Sequence, residues 1–181
     1  ASRGLGDVYK RQEFAARKQS EQAMDFADQM ALAARIAEAD PAVGEIERGQ
    51  FRAVLLDEYQ DTGHAQRVLL RALYGRIPGG GTLDEGCSVT AVGDPCQSIY
   101  GWRGASAGNL ARFRTDFPTP QGDPADVYGL LTSFRNPAEV LALANRISEE
   151  LRTGPGAIEV GELRPRPDAP PGDVRAALLP D

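Results

Sequence analysis

The sequence predicts an α/β fold in which a parallel sheet is flanked by helices. Two short apolar runs, FRAVLLD at 51–57 and CSVTAVG at 87–93, predict buried strands, and acidic residues follow each of them. A helical pattern separates the two runs, and alternation of strands with helices is typical of parallel sheets. Because ligands of such sheets bind beyond the carboxyl ends of the strands, we expect the functional residues there.

The N-terminal part predicts one long helix. Residues 13–39 carry side chains at helical spacing, namely Phe26, Met30, Ala33 and Ala37. We expect Pro41 and Gly44 to end this helix. Residues 1–12 show no such period, so we set them apart as a non-native or unplaced segment.

The two strands are connected by a helix and a loop. We expect Thr62 to cap a helix that runs to Tyr74 and stops at Gly75. Residues 76–86 contain Pro78 and three consecutive glycines, which predicts a flexible surface loop. After the second strand, a turn at Pro95 is predicted to lead into a helical stretch that contains Ile99, Trp102, Leu110 and Phe113.

The last third of the chain predicts the start of a second domain. Residues 118–126 are rich in Pro, Gly and Asp, which is typical of a domain boundary. A third strand is predicted at 127–132, and Pro137 opens a helix to about Leu151. The proline-rich tail is expected to be extended, with a strand at 173–179.

Composition narrows the function classes. No run approaches the ~20 apolar residues of a membrane span. Two cysteines and one histidine are too few for a usual structural zinc site, and we expect both cysteines to be reduced in a cytoplasmic protein. The net charge of −6 argues mildly against a nucleic-acid binder.

The strongest motif is LLDEYQDT, in which an apolar strand ends in Asp57 and Glu58. In nucleotide-hydrolysing proteins, the first acid of such a pair holds Mg²⁺ and the second polarises the attacking water. The alternative is a strand that ends in solvated acids, and it would be the better interpretation of Asp-Glu alone. The residues that follow, Gln60-Asp61-Thr62, argue against it.

The second motif is VGDPCQSIYGWRGA, at 92–105. Gly93 allows close backbone approach at a strand end, and Gln97 could reach a γ-phosphate or its water. Tyr100 and Trp102 offer flat faces on which unpaired bases stack. Alternatively the two aromatics are core residues, as most aromatics are, although the glycines on both sides of Trp102-Arg103 disfavour a packed helix.

The third motif is LTSFRNP, at 131–137. Arg135 follows a predicted strand, and a guanidinium in that place can clamp phosphate. In isolation, a surface arginine is the better interpretation.

In their order and spacing, these three segments resemble helicase motifs II, III and IV of the UvrD/Rep family of superfamily 1. Met24–Asp28 resembles the segment that precedes motif II in that family. The resemblance covers about residues 20–175, and its wording is closest to actinobacterial members. It implies a RecA-like P-loop NTPase motor. Residues 13–122 would be the later half of its first domain and 123–181 the start of the second, with ATP between them.

The resemblance also assigns roles to the motif residues. Asp57 would be the magnesium acid, Glu58 the catalytic base, and Gln97 the link between nucleotide state and DNA. Arg135 would contact the γ-phosphate. Phe134 stands where the family usually has a tyrosine stacked on adenine, and a core position is its alternative. Single-stranded DNA would contact Tyr100, Trp102 and Arg103.

The implied function is an ATP- and Mg²⁺-dependent helicase that moves 3′ to 5′ on single-stranded DNA and unwinds duplex DNA in repair or recombination. A nuclease or repair protein could be its partner. Two alternatives stay open: the motor subunit of a helicase–nuclease, and an inactive relative, which the retained Asp57, Glu58, Gln97 and Arg135 argue against.

The 181 residues contain no G-x-x-x-x-G-K-[ST] loop. We therefore expect a piece of a larger motor that is inactive alone. For a piece of a larger motor, the net charge of −6 argues less strongly against nucleic-acid binding, because in this family the DNA groove is shared among several domains.

Overall fold

A computed structural model describes residues 3–75, 87–153 and 160–177 of the 181-residue chain. Its helices are α1 (Arg3–Ser20), α2 (Phe26–Ala39), α3 (Pro41–Gln50), α4 (His64–Tyr74), α5 (Gly108–Asp116) and α6 (Ala138–Thr153). Its strands are β1 (Ala53–Leu56), β2 (Ser88–Ala91), β3 (Thr132–Ser133) and β4 (Arg164–Pro165). Three single 3₁₀ turns lie at Tyr59–Asp61, Pro95–Gln97 and Gly101–Arg103.

The strands pair in parallel, which confirms the predicted α/β class with short parallel strands. β1 pairs with β2 in a register that places Ala53 opposite Ser88 and Leu56 opposite Ala91. β3 pairs with β4 in the same sense. The more specific RecA-like assignment stays a prediction.

The single helix predicted over 13–39 is wrong, because a helix start lies inside it. The Asp25 carboxylate accepts the backbone N–H of Asp28 at 2.9 Å, and the Asp28 carboxylate accepts that of Asp25 at 3.0 Å. This reciprocal cap begins α2 after the residues that leave α1, where Gln22 has a positive φ of 51°. Lys18 donates to both carboxylates, at 2.9 and 2.6 Å, and so joins the end of α1 to the start of α2.

α1 also crosses the boundary that we placed after residue 12. Residues 3–20 form one uninterrupted helix, although residues 1–12 have no apolar period. The structure therefore marks no break between residues 12 and 13.

Pro41 and Gly44 do not act as the pattern predicted. α2 does end at Ala39, but the Asp40 carboxylate caps a new helix, in which Pro41 takes the first position. Gly44 lies buried inside that helix, α3. A Cβ atom there would lie 2.9 Å from the carbonyl oxygen of Ala72 in α4, so the glycine permits close helix packing.

α4 fits its predicted length, with one difference at each end. Gly63 rather than Thr62 occupies the cap position, and the Thr62 hydroxyl donates instead to the carbonyl of Tyr59 at 2.6 Å. Gly75 follows the helix as predicted, yet its φ of −85° is not left-handed. A Cβ atom at Gly75 would lie 2.6 Å from the carbonyl oxygen of Asp116, so close packing against α5 requires the glycine.

The best-buried part of the core lies between α4 and α5. Tyr59 is fully buried, and the Phe113 ring meets its ring edge-on at 5.4 Å between centroids. Arg67 and Asp116 form a buried two-bond ion pair at 2.6 and 2.8 Å. The Tyr59 hydroxyl finds no hydrogen-bond partner among the described residues, and burial raises the pKa of this phenol to about 12.

Burial of the strands differs from the prediction. In β1 and β2, exposed residues alternate with half-buried ones, and the Leu55 side chain is 81% exposed. Among the described residues, packing elements cover only one face of this two-stranded sheet. A run of apolar residues therefore did not mean burial on both faces.

The helix predicted after Pro95 is right for Leu110 and Phe113, which lie in α5, and wrong for the residues before it. Two 3₁₀ turns and extended residues occupy this segment, and α5 begins only at Gly108. Ile99 and Trp102 are exposed, because no continuous helix turns them toward the core.

The C-terminal part keeps the predicted helix and loses most predicted strand. α6 follows Pro137, and the Asn145 side chain bonds both the N–H and the carbonyl of Leu163. The strand predicted at 127–132 contains only residue 132, and none forms over 173–177; β4 at Arg164–Pro165 pairs with β3 instead. Residues 178–179 and the predicted loop at 76–86 lie outside the described residues. No helix in the described ranges is long and apolar enough to cross a membrane.

Candidate functional site

Two carboxylates follow β1 at its carboxyl end, as predicted. Asp57 is exposed, and its Oδ1 atom accepts the backbone N–H of Glu58 at 2.9 Å. Glu58 has a left-handed backbone, with φ 50° and ψ 41°, which side-chain-bearing residues rarely adopt. This conformation turns the chain sharply between β1 and the buried Tyr59 and leaves the Glu58 side chain in solvent.

Gln60 connects the acids to the second motif. Its side chain is 1% exposed in total and uses both ends of the amide. Nε2 donates to the Glu58 carboxylate at 2.6 Å, and Oε1 accepts the backbone N–H of Asp94 at 3.0 Å. The Ser98 hydroxyl donates to the Gln60 carbonyl at 3.2 Å. Gln60 belongs to the first motif, but no local signal in the sequence gives it a role of its own, because one of its partners lies 34 residues away.

Gly93 makes this connection sterically possible, which confirms its predicted role. A Cβ atom there would lie 2.6 Å from Gln60 Oε1 and 2.6 Å from Leu110 Cδ1. Real Cβ atoms essentially never come so close to other heavy atoms. The end of β2 can therefore approach the Gln60 amide only without a side chain.

Gln97 closes the 3₁₀ turn that begins after Asp94. Its Nε2 atom donates to Asp94 Oδ2 at 2.8 Å, and Asp94 Oδ1 accepts the Cys96 N–H at 2.9 Å. Gln97 is exposed, so its amide lies at the surface near the carboxyl ends of both strands. Burial, followed by the nearby Asp94 charge, raises the pKa of the Cys96 thiol.

Tyr100, Trp102 and Arg103 form an exposed group that we call the aromatic cluster. The two rings lie 6.4 Å apart at 51°, and the Arg103 guanidinium lies 5.9 Å from the Tyr100 centroid and 5.3 Å from that of Trp102. Trp102 is 80% exposed and Tyr100 is 39% exposed. The core interpretation of these aromatics is therefore wrong, because neither ring is buried among the described residues.

The aromatic cluster lies on the segment 94–109, and hydrogen bonds attach both ends of this segment to residues 57–62, which we call the acid segment. At one end lies the bond from Asp94 to Gln60. At the other, the Ser106 N–H donates to the Thr62 carbonyl at 3.3 Å, and Asn109 Nδ2 donates to the same carbonyl at 2.7 Å. The acids, Gln97 and the aromatic cluster thus belong to one connected unit.

Comparison with known proteins identifies the family of the chain. Residues 5–118 match the family model described as the UvrD/REP helicase N-terminal domain. The chain belongs to this family. The match begins inside the segment 1–12 that we set apart, and it contains all the acids and aromatics described above.

Relatives named as DNA helicases align over most of the chain. ATP-dependent DNA helicase UvrD1 of Mycobacterium tuberculosis is 36% identical over 146 residues, which are 81% of this chain and 18% of the relative. DNA helicase II of Escherichia coli is 36% identical over 126 residues, 70% of this chain and 16% of the relative. PcrA of Staphylococcus aureus is 32% identical over 126 residues, 70% and 15%. The chain thus spans less than a fifth of the length of these helicases.

Phe134 and Arg135 lie beyond the UvrD/REP match, directly after β3. Both side chains are exposed, which rules out a core position for Phe134 among the described residues. No hydrogen bond or ion pair joins Arg135 to Asp57 or Glu58 in the described part of the chain. Among the described residues, hydrogen bonds therefore connect the first two motifs, and none joins Arg135 to the acids.

The carboxylate oxygens of Asp57 and Glu58 are of the kind that Mg²⁺ prefers as ligands. Asp57 keeps one carboxylate oxygen without a partner among the described residues, at an exposed position. The described residues hold no group of three or more His, Cys, Asp or Glu poised to hold a metal. A single carboxylate fits Mg²⁺ all the same, since this ion usually completes its shell with water and substrate phosphates.

Proposed function

We propose that this chain is part of an ATP-dependent DNA helicase in which it carries the hydrolytic acids and a surface for single-stranded DNA. One observation carries the proposal: the acid segment and the segment of the aromatic cluster are hydrogen-bonded to each other at both ends. A motor has to connect a nucleotide site with a DNA site. Relatives named ATP-dependent DNA helicases share the same stretch of sequence.

The two acids divide the work of hydrolysis. The oxygen of a water attacks the γ-phosphorus of ATP, the bond from phosphorus to the ADP oxygen breaks, and Glu58 accepts a proton from the water. Asp57 would hold Mg²⁺, which offsets phosphate charge when bound. Both carboxylates are exposed at the edge beyond β1.

The remaining polar residues act on the nucleotide. Gln97 would sense the γ-phosphate and pass its presence to Trp102, five residues on. Arg135 is assigned to the γ-phosphate and Phe134 to adenine. Both side chains are exposed, and no hydrogen bond joins Arg135 to the acids among the described residues, so these two roles require bound nucleotide to bridge the acids and the β3 region.

The aromatic cluster would bind single-stranded DNA by stacking. Exposed rings accept unpaired bases on their faces, and Arg103 adds a positive charge beside them. This local chemistry answers the objection raised by the net charge of −6. Movement from 3′ to 5′, unwinding of duplex DNA, a role in repair or recombination, a nuclease or repair partner, and a cytoplasmic location all follow from the family resemblance.

The test is Glu58→Gln in a full-length helicase that carries this segment. The change keeps the size of the side chain and removes the proton acceptor, so DNA-stimulated turnover should fall by about 10²- to 10⁴-fold. ATP binding, measured by filtration with radiolabelled nucleotide, should stay within a few-fold of the original. Glu45→Gln is the matched control, since Glu45 is an exposed glutamate on α3, and it should turn over normally. Normal turnover by Glu58→Gln would contradict the proposal.

A further inference from the structure

We propose that Gln60 is a positioning residue that holds the Glu58 carboxylate in its working direction. This inference rests on the proposed function, because it takes Glu58 to be the proton acceptor. Gln60 is buried, and its amide bridges Glu58 and the backbone of Asp94. The Gln60 side chain itself would not touch the nucleotide.

Glu58 needs such a partner. Its left-handed backbone places the side chain in solvent at the edge of the sheet. Among the described residues, the only hydrogen bond to its carboxylate comes from Gln60 Nε2, at 2.6 Å. An exposed glutamate without that bond would sample several rotamers, of which few aim an oxygen at one water.

Glutamine is the side chain that this position demands. It offers an N–H donor to the carboxylate and a carbonyl acceptor to Asp94 N–H at the same time. A glutamate would keep the acceptor and set a second negative charge against Glu58. A leucine would keep much of the volume and lose both bonds.

The second hydrogen bond of Gln60 links the orientation of Glu58 to the turn that contains Gln97. Asp94 donates its N–H to Gln60, and its carboxylate accepts from Gln97 at 2.8 Å. One continuous path of hydrogen bonds therefore runs from Glu58 through Gln60 and Asp94 to Gln97. A shift of the Gln97 turn would move the amide that orients Glu58.

The experiment uses a full-length helicase that carries this segment, with steady-state ATPase measured at saturating single-stranded DNA. Gln60→Leu should lower kcat by about 10- to 100-fold, since hydrogen bonds to charged groups are the stronger ones, while KM for ATP changes little. Gln60→Glu keeps the polarity and should lower kcat in the same way, so the test does not depend on whether the leucine variant folds. Gln29→Leu is the matched control: Gln29 is an exposed glutamine on α2, outside the candidate site, so kcat should hold.

A double-mutant cycle with Glu58→Gln separates positioning from a general structural effect. If Gln60 acts through the carboxylate, Gln60→Leu should lower single-turnover hydrolysis in the original protein and have little further effect in Glu58→Gln. An equal factor in both backgrounds would overturn the positioning role and leave the function of Glu58 intact, as would an unchanged kcat in both Gln60 variants. Normal turnover in Glu58→Gln alone would overturn both.

Discussion

At the scale of single residues, Glu58 combines an unfavourable backbone with an exposed acid. A left-handed conformation costs a residue that bears a Cβ atom about 1–2 kcal/mol, and Glu58 adopts it directly after β1. Glycine would fit the same turn without strain, and it could not accept a proton. The stability lost at Glu58 is therefore consistent with selection for its carboxylate.

This strain can be measured by comparing two truncations of Glu58. Glu58→Gly and Glu58→Ala both remove the carboxylate and its bond with Gln60, and only alanine keeps the Cβ atom. We expect Glu58→Gly to be the more stable of the two by about 1 kcal/mol, the reverse of their usual order. Urea unfolding of the 181-residue chain, followed by circular dichroism, gives this difference. Greater stability of the alanine variant would show that the turn is unstrained.

Trp102 gives the sharpest residue-scale test of the DNA surface. Stacking of one base is worth about 1–3 kcal/mol, so Trp102→Ala should weaken binding of single-stranded oligonucleotides by about ten- to a hundredfold. The loss should be similar for different base sequences, because a ring face does not distinguish bases. Filter binding with a full-length helicase that carries this segment measures it.

The control for Trp102 is another aromatic side chain of similar exposure. Phe26 is 88% exposed at the start of α2, away from the aromatic cluster in sequence, and Phe26→Ala should leave DNA binding unchanged. Both variants should melt close to the original protein, since each removes an exposed ring. A large stability loss in Trp102→Ala with unaltered DNA affinity would return the indole to a structural role.

At the scale of elements, the buried pair of Arg67 and Asp116 fixes α5 against α4. Two charge-assisted bonds link the helices beside the buried Tyr59 ring. α4 follows the acid segment, and α5 follows the aromatic cluster. The pair therefore holds together the two helices that directly follow the acid segment and the aromatic cluster.

Removing one partner of this pair should be costly. Arg67→Met or Asp116→Leu alone leaves a buried charge unpaired and should lower the free energy of unfolding by about 3–5 kcal/mol. The double change should cost less than either single change, because no charge remains. Glu38→Ala serves as control. It breaks the exposed ion pair between Glu38 of α2 and Arg71 of α4, the helix that also carries Arg67, and it should cost about 1 kcal/mol or less. Urea unfolding measures all four, and additive single effects would contradict the mechanism.

Element boundaries were predictable where one residue fixes them locally. Gly75 and Pro137 marked the end of α4 and the start of α6 to within about one residue. The starts of α2 and α3 were missed because they rely on the Asp25 and Asp40 caps inside a pattern that reads as continuous. Gln60 was missed for a different reason, since its importance depends on a contact with a distant strand end.

At the scale of the whole molecule, most of the predicted site residues belong to one hydrogen-bonded unit. Asp57, Glu58, Gln97 and the aromatic cluster were all predicted from motifs, and the structure places them on one bonded unit. Arg135 was predicted equally from a motif, and no hydrogen bond joins it to this unit among the described residues. Motif order could not reveal that difference, because it contains no information about which side chains bond to one another.

The chain by itself should not turn over ATP. Its 181 residues contain no loop of the G-x-x-x-x-G-K-[ST] type, which would supply the backbone N–H groups and the lysine that hold the phosphates. We expect phosphate release by the purified chain, with Mg²⁺ and single-stranded DNA, to equal that of its Glu58→Gln variant. DNA-stimulated release that depends on Glu58 would show that the described residues hold phosphate without such a loop.

The exposure of Trp102 also has an optical consequence. It is the only tryptophan in the sequence, and its indole already faces water in the folded chain. Emission excited at 295 nm, where tryptophan alone absorbs appreciably, should therefore change little when the chain unfolds and should be quenched when a base covers the ring. The fluorescence of Trp102 should therefore report binding at the aromatic cluster and respond little to unfolding of the chain.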